Sequence, residues 1–137
     1  MNVLGVDPGR EKTGLAVVRF DGYVHFRSII ETPKLQDELE PLISRWMIER
    51  IALGNSTSSK SARTQIETFV QARGWENVLI EWVDEKNSTL EARTLYFEEH
   101  PPRGWKKLLP LSSQVPPVPV DDFAAVIVAR RLLQGVK

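Results

Sequence analysis

The chain has no cysteine. That absence excludes a disulfide framework, a thiolate metal site and a cysteine nucleophile, and it suits a reducing compartment. Histidine is nearly as scarce, with only His25 and His100, so any metal ion must be held mainly by oxygen. No apolar run approaches the roughly 20 residues of a membrane span. The opening Met1-Asn2-Val3-Leu4-Gly5-Val6-Asp7 reaches a charge too early for a secretory signal. The expected setting is soluble and cytoplasmic, with no membrane partner. Net charge is also missing, since 18 basic side chains balance 18 acidic ones, and this argues against a nucleic-acid binder that relies on bulk basicity. The balance is uneven: residues 81–100 carry two basic and six acidic groups, residues 101–137 six basic and two acidic. An unevenly charged solvated surface would give the same imbalance.

What is present is a chain of 137 residues, 42% of them apolar. That suffices for one domain, residues 1–137, with a real core. Val3-Leu4-Gly5-Val6 predicts a first strand ending in an Asp7-Pro8-Gly9 turn, where proline fixes φ and glycine can take positive φ. Gly14–Phe20 and Tyr23–Ile30 flank Asp21-Gly22, a two-residue hairpin signal. Thr32 as cap and Pro33 in the first turn open a helix with Leu35, Leu39, Leu42, Ile43, Trp46 and Met47 on one face. Pro41 inside it predicts a kink or two short helices. Ile51–Gly54 reads as a buried strand, Ala62 to Gly74 as a helix and Val78–Val83 as a fifth strand. Ser88 and Glu91 have capping-box spacing for a third helix to about Glu99. Six prolines between Pro101 and Val120 leave no room for a helix or a central strand there. A final apolar helix runs from Asp122 to about Leu133. The pattern β-β-β-α-β-α-β-α-α predicts an α/β architecture, a mixed sheet with helices on its faces.

Acidic groups stand at element ends: Asp7 after the first strand, Asp84 and Glu85 after the fifth, Asp121 and Asp122 before the last helix. Ligand sites of open α/β sheets form outside the carboxyl ends of strands. Carboxylates gathered there repel unless a cation joins them, and Mg²⁺ or Mn²⁺ suits an oxygen-only site. Such ions support phosphodiester hydrolysis. Each residue also has a plainer explanation: Asp7 as a turn residue, Asp84 and Glu85 as an exposed strand end, Asp121 and Asp122 as helix-start acids facing the dipole. The hydroxyls from Ser56 to Ser59 read as a solvated loop with a cap, or as a phosphate cradle. His25 and His100 read as structural. Trp105, amid Arg103, Lys106 and Lys107, is the tryptophan best placed for nucleic acid.

Three segments carry a resemblance. They are Val6-Asp7-Pro8-Gly9-Arg10-Glu11-Lys12-Thr13-Gly14-Leu15-Ala16, Val83-Asp84-Glu85-Lys86-Asn87-Ser88-Thr89-Leu90-Glu91-Ala92-Arg93 and Val120-Asp121-Asp122-Phe123-Ala124-Ala125-Val126. Together they resemble the signature segments of the YqgF-like proteins, ribonuclease H-like domains related to the Holliday-junction resolvase RuvC. The resemblance implies a five-stranded mixed sheet in order 3-2-1-4-5 with helices on both faces. It implies a nuclease dependent on Mg²⁺ or Mn²⁺, acting on ribosomal RNA precursors or DNA junctions. Asp7, Glu85 or Asp84, and Asp121 would hold metal, with Asp122 a fourth carboxylate. Arg10, Lys12, Lys60, Arg63, Lys86, Arg103, Lys106 and Lys107 would meet phosphates. Lys86 stands where most members carry arginine, which keeps the charge and loses bidentate recognition. Gly54-Asn55-Ser56-Thr57 is closer to the Tex-type transcription proteins.

Related ribonuclease H-like enzymes carry an acid where this chain has Asn55. Strands one and five lie two spacings apart, roughly 10 Å, so Glu85 must lean inward or Asn55 must supply a neutral oxygen. If neither happens, the chain is an inactive adaptor that binds RNA or a protein through its proline-rich segment. An actin-like ATPase is a further reading of the Asp-Pro-Gly turn; the lack of a P-loop and of a second such domain speaks against it. Whether the protein is a monomer or a homodimer stays open, and a paired junction would suit a twofold dimer.

Overall fold

Alternation along the first strand sets the two sides of the molecule. The computed structural model describes residues 1–110 and 114–135. Strand β1 (Asn2–Asp7) sends Leu4 and Val6 to one face of the sheet and Val3 to the other, as a period of two requires. Strands β2 (Lys12–Arg19) and β3 (Val24–Glu31) complete an antiparallel meander, and β4 (Arg50–Gly54) and β5 (Leu79–Val83) add in parallel on the far side of β1. The order is β3-β2-β1-β4-β5, as the resemblance implied.

Helices α1 (Leu35–Trp46) and α2 (Ser59–Ala72) cover the first face. Their Leu35, Leu39, Ile43, Ala62 and Ile66 pack on Leu4, Val6, Leu15, Ile51 and Leu53, each large side chain contributing about 1.5–3 kcal/mol by burial. Helix α4 (Asp121–Leu133) lies on the second face against Val3, Ala16, Val18, Ala52 and Val83. Helix α3 (Ser88–Glu99) sits on α4 through Ala92 and Phe123. Small residues let α4 come close: a Cβ at Gly5 would lie 2.1 Å from the Ala125 carbonyl oxygen. Among the described residues no helix is long and apolar enough to cross a membrane.

Five local expectations need correction. The loop after β2 has three residues rather than two, closed by Arg19 N–H to the Tyr23 carbonyl at 2.8 Å, with Gly22 at φ 91° meeting the turn's need for positive φ. Helix α1 runs through Pro41 as one helix behind a 3-10 turn at Thr32–Lys34. Pro41 and Asp37, whose carbonyl it leaves unpaired, are both exposed, so water replaces the lost bond. Thr32 makes no cap. The capping box of α3 does not form, because Asn87 at φ 62° precedes the helix and Glu91 pairs with Arg131 of α4 at 3.1 Å. Within the proline-rich segment one 3-10 turn does form, at Gly104–Leu108. Leu111, which lies in that segment, falls outside the described residues.

Candidate active site

Asp7 ends β1 opposite Gly14 of β2, so both point to the same face of the sheet. A Cβ on Gly14 would lie 1.8 Å from the Asp121 carbonyl oxygen. The start of α4 therefore rests on the Gly14 backbone, and this brings Asp121 beside Asp7. The turn after Asp7 is tied from two sides. Ser56 Oγ donates to the Pro8 carbonyl at 2.9 Å, and Thr32 Oγ1 donates to the Gly9 carbonyl at 2.8 Å while meeting buried Thr13 Oγ1 at 2.9 Å. Ser56 and Ser59 also bond each other, and Ser59 bonds the Gly54 carbonyl. The Ser56 and Ser59 hydroxyls are thus spent on each other and on the protein's own backbone. Gly9 does not need positive φ; a side chain there would strike the Lys12 carbonyl at 2.2 Å.

Glu85 follows β5 and leans inward, over the position where Gly54 has no side chain. A Cβ on Gly54 would lie 2.7 Å from Glu85 Oε2. Asn55 does not supply a ligand oxygen to the site; its Oδ1 accepts the Glu85 N–H at 3.1 Å. Ser88 N–H holds the Glu85 carbonyl at 2.9 Å, and Arg131 reaches from α4 to the Asp84 carbonyl at 2.7 Å. Asp84 is exposed, and its Oδ1 accepts the Lys86 N–H at 2.9 Å. Of the two acids after β5, Glu85 is the one aimed at Asp7.

Electrostatics binds these carboxyls into one unit. Burial first, then the charges of Glu85 and Asp121, and a proton shared with Glu85, push Asp7 up to about 8. Glu85 is raised by burial and by the charge of Asp84, against the opposing effect of its contact with Asp7. Asp121 is raised by burial and by Asp122. The Oε2 atom of Glu85 is buried without a hydrogen-bond partner, and among the described residues no basic side chain pairs with Asp7, Glu85 or Asp121. The three do not close a ready-made ion cluster: among the described residues no three acidic or histidine groups converge on one point. An oxygen-only donor set, an orphaned buried carboxylate oxygen and a cradle that a Cβ at Gly54 would fill all fit a hard divalent cation.

Asp122 is used differently. Its Oδ2 accepts from Arg27 of β3 at 3.0 Å, and Arg27 also holds Glu99 of α3 at 2.8 Å and lies 4.0 Å above the Phe123 ring. Through Arg27 this carboxylate ties β3, α3 and α4 together. Among the expected phosphate contacts, Arg10, Lys12, Lys60 and Lys86 are exposed on the loops and helix start at this end of the sheet. Arg63 pairs through Nε with Glu67 at 2.6 Å and lies 5.0 Å over the Trp82 ring, and its Nη1 has no hydrogen-bond partner among the described residues. Arg103, Lys106 and Lys107 are exposed beside the 3-10 turn. His25 stacks on Trp46 and His100 on Tyr96, structural as read. Sequence reasoning missed Thr32, Ser56 and Arg131, whose roles depend on partners far away in the chain.

Asn55→Ala tests the support of Glu85. It should cost about 1 kcal/mol, the net worth of one hydrogen bond, and free the loop; thermal melts check the first and proteolysis near Glu85 the second. Unchanged melting and proteolysis would remove Asn55 from the site.

The family model described as "RuvX: Holliday junction resolvase" matches residues 1–135. No curated protein matches. Among solved structures, Thermus thermophilus RuvC in complex with a Holliday junction substrate is similar at 15% identity and TM-score 0.61, covering 98% of this chain and 95% of that one. Thermus thermophilus RuvC in another structure gives 14% and 0.62 over 98% and 95%. The Fowlpox virus resolvase in complex with Holliday junction DNA gives 12% and 0.59, covering 98% of both chains. The shared architecture is the ribonuclease H-like fold.

Proposed function

The chain belongs to the RuvX family of Holliday junction resolvases, and on that premise we propose that it is a nuclease dependent on Mg²⁺ or Mn²⁺ that hydrolyses phosphodiester bonds in branched DNA, with structured RNA such as a ribosomal RNA precursor as the second substrate class. The observation that carries this reading is the facing pair of Asp7 and Glu85 beside Asp121, raised in pKa and unmatched by any basic partner among the described residues. A burial of like charges this unfavourable is typical of sites whose cation arrives with the function.

Asp7, Glu85 and Asp121 would hold the ion. When bound, a divalent cation lowers the pKa of water and offsets charge on the leaving oxygen. The other residues position and hold. Asn55, Ser88 and Arg131 fix the Glu85 loop, Ser56 and Thr32 fix the turn after Asp7, and Arg10, Lys12, Lys60 and Lys86 face the phosphates on either side of the cut. The like charge of the carboxyls turns a phosphate away until the ion is in place, so binding and chemistry share one gate. Work in the cytoplasm, and on a four-way junction as a twofold dimer, belongs to the same reading.

Purified protein given a labelled four-way DNA junction, a ribosomal RNA precursor and single-stranded RNA should cut the junction in Mg²⁺ or Mn²⁺ and fall to background in EDTA. Binding of all three without cutting in any metal would overturn the nuclease and favour the non-catalytic adaptor, the reading that the open carboxylate arrangement also admits.

A further inference from the structure

Between the C-terminal end of α3 and the proline-rich segment lies a cavity of about 630 Å³, within the usual range for ligand sites. Its wall includes Tyr96, His100, Arg103, Trp105, Lys106 and Pro117, and among the described residues no acidic one. Residues 101–120 hold three basic side chains and no acid, in a protein whose overall charge is zero.

One aromatic face is open. Tyr96 and His100 are stacked on each other with centroids 4.5 Å apart and planes 18° from parallel, and form the wall. Trp105 is 68% exposed and Leu108 84% exposed. Gln114 pins the turn by donating to the Lys106 carbonyl at 2.9 Å and the Leu109 carbonyl at 3.3 Å. Flat rings beside fixed cations are the recurring equipment for single strands, because every base has a face that stacks and every nucleotide brings a phosphate.

The position adds a second argument. Pro117 is four residues before Asp121 in the chain, so the cavity wall lies within about 14 Å of that carboxylate's backbone. Tyr96 on its inner side packs against Phe123 at 5.9 Å, two positions past Asp121. A strand advancing about 3.4 Å per nucleotide covers that distance in a few steps.

The geometry points to a pocket for an unpaired nucleobase, a few nucleotides from the bond to be cut, with Trp105 as the stacking face and Arg103 and Lys106 on the adjoining phosphates. This rests on the nuclease reading, which supplies the strand, and it narrows the substrate to nucleic acid with unpaired nucleotides near the scission point. The absence of acidic groups in the wall favours a polyanion over a protein segment.

The test uses the full chain in EDTA and measures anisotropy of a labelled single-stranded DNA 12-mer and of a fully paired duplex. Trp105→Ala should weaken the single strand about five- to a hundredfold and leave the duplex within about twofold, while Trp105→Phe regains most of the loss. Arg103→Ala with Lys106→Ala should make the slope of log affinity against log salt shallower by about 1.4 on the single strand. Equal single-strand affinity for wild type and Trp105→Ala overturns the pocket, as does an equal loss on strand and duplex. The two readings fail separately. A junction cut normally by Trp105→Ala with unchanged strand affinity removes the pocket and keeps the nuclease. Strand binding that depends on Trp105, in a protein that cuts nothing, removes the nuclease and keeps the pocket.

Discussion

Asp7→Asn is expected to lower cleavage at least a thousandfold, roughly 4 kcal/mol of barrier, and at the same time to stabilise the metal-free protein at pH 8. The two effects have one origin. Asp7 sits between Glu85 and Asp121 in a partly buried place, and its carboxyl is pushed up to about 8. Asparagine keeps the shape and removes the charge. It thus loses an ion ligand and also relieves a repulsion that the folded state otherwise bears.

The pH dependence follows from the direction of that shift. A carboxyl with a folded pKa above its unfolded value keeps its proton longer in the native state. Stability from this group is full below the unfolded value of 3.8, falls as pH rises, and is lost once pH passes the folded value near 8. The slope in that window is at most about 1.4 kcal/mol per pH unit for one proton. Thermal melts in EDTA at pH 5 and pH 8 should show wild type losing Tm where Asp7→Asn does not. Adding Mg²⁺ or Mn²⁺ at pH 8 should raise the Tm of wild type by ligand linkage and leave the mutant unmoved. Parallel melting curves for the two proteins would mean that the Asp7 carboxyl is not held among like charges.

Gly14→Ala is the second large effect. Its new methyl would lie 1.8 Å from the Asp121 carbonyl oxygen and 2.3 Å from the carbonyl carbon. An unstrained carbon to oxygen contact needs about 3.3 Å, so β2 and the first turn of α4 must separate by about 1.5 Å. Both struck atoms belong to backbone, and neither can rotate away. Overpacking of this kind costs about 1–3 kcal/mol, occasionally more. A displacement of this size at a reacting group costs about a hundredfold in rate. The measurement is Tm together with junction cleavage, and a variant with wild-type values of both would show that α4 does not rest on Gly14. Gly54 offers a useful contrast, because the atom nearest its absent Cβ is the end of the Glu85 side chain, which can swing.

Much of this was legible in the residues. Short apolar runs bounded by turn residues, the Asp21-Gly22 hairpin signal and apolar helix positions located β1 to β5 and three of the helices; α3 was placed by a cap spacing that does not form, and the sheet order came from the resemblance to a known family. The acids at strand ends marked the correct end of the sheet. What could not be read was the choice between neighbours. Asp84 and Glu85 are adjacent acids of the same charge, and only the bond from Asn55 to the Glu85 backbone and the missing side chain of Gly54 decide which one turns inward. Asp121 and Asp122 present the same difficulty, and the deciding partner, Arg27, lies on β3. Ser88 and Glu91 had the spacing of a cap, yet an ion pair with Arg131 of α4 claims Glu91. In each case a long-range partner outweighs a local preference, and such a partner has no local signature.

Helix α4 carries a consequence for how the site is assembled. Asp7 lies on β1 and Asp121 on α4, at opposite ends of the element order. Without α4 in place, Val3, Ala16, Val18, Ala52 and Val83 lose their cover and Asp121 is not beside Asp7. Closing the second face of the sheet and completing the carboxylate group are therefore one event, and a local opening of α4 takes both apart together.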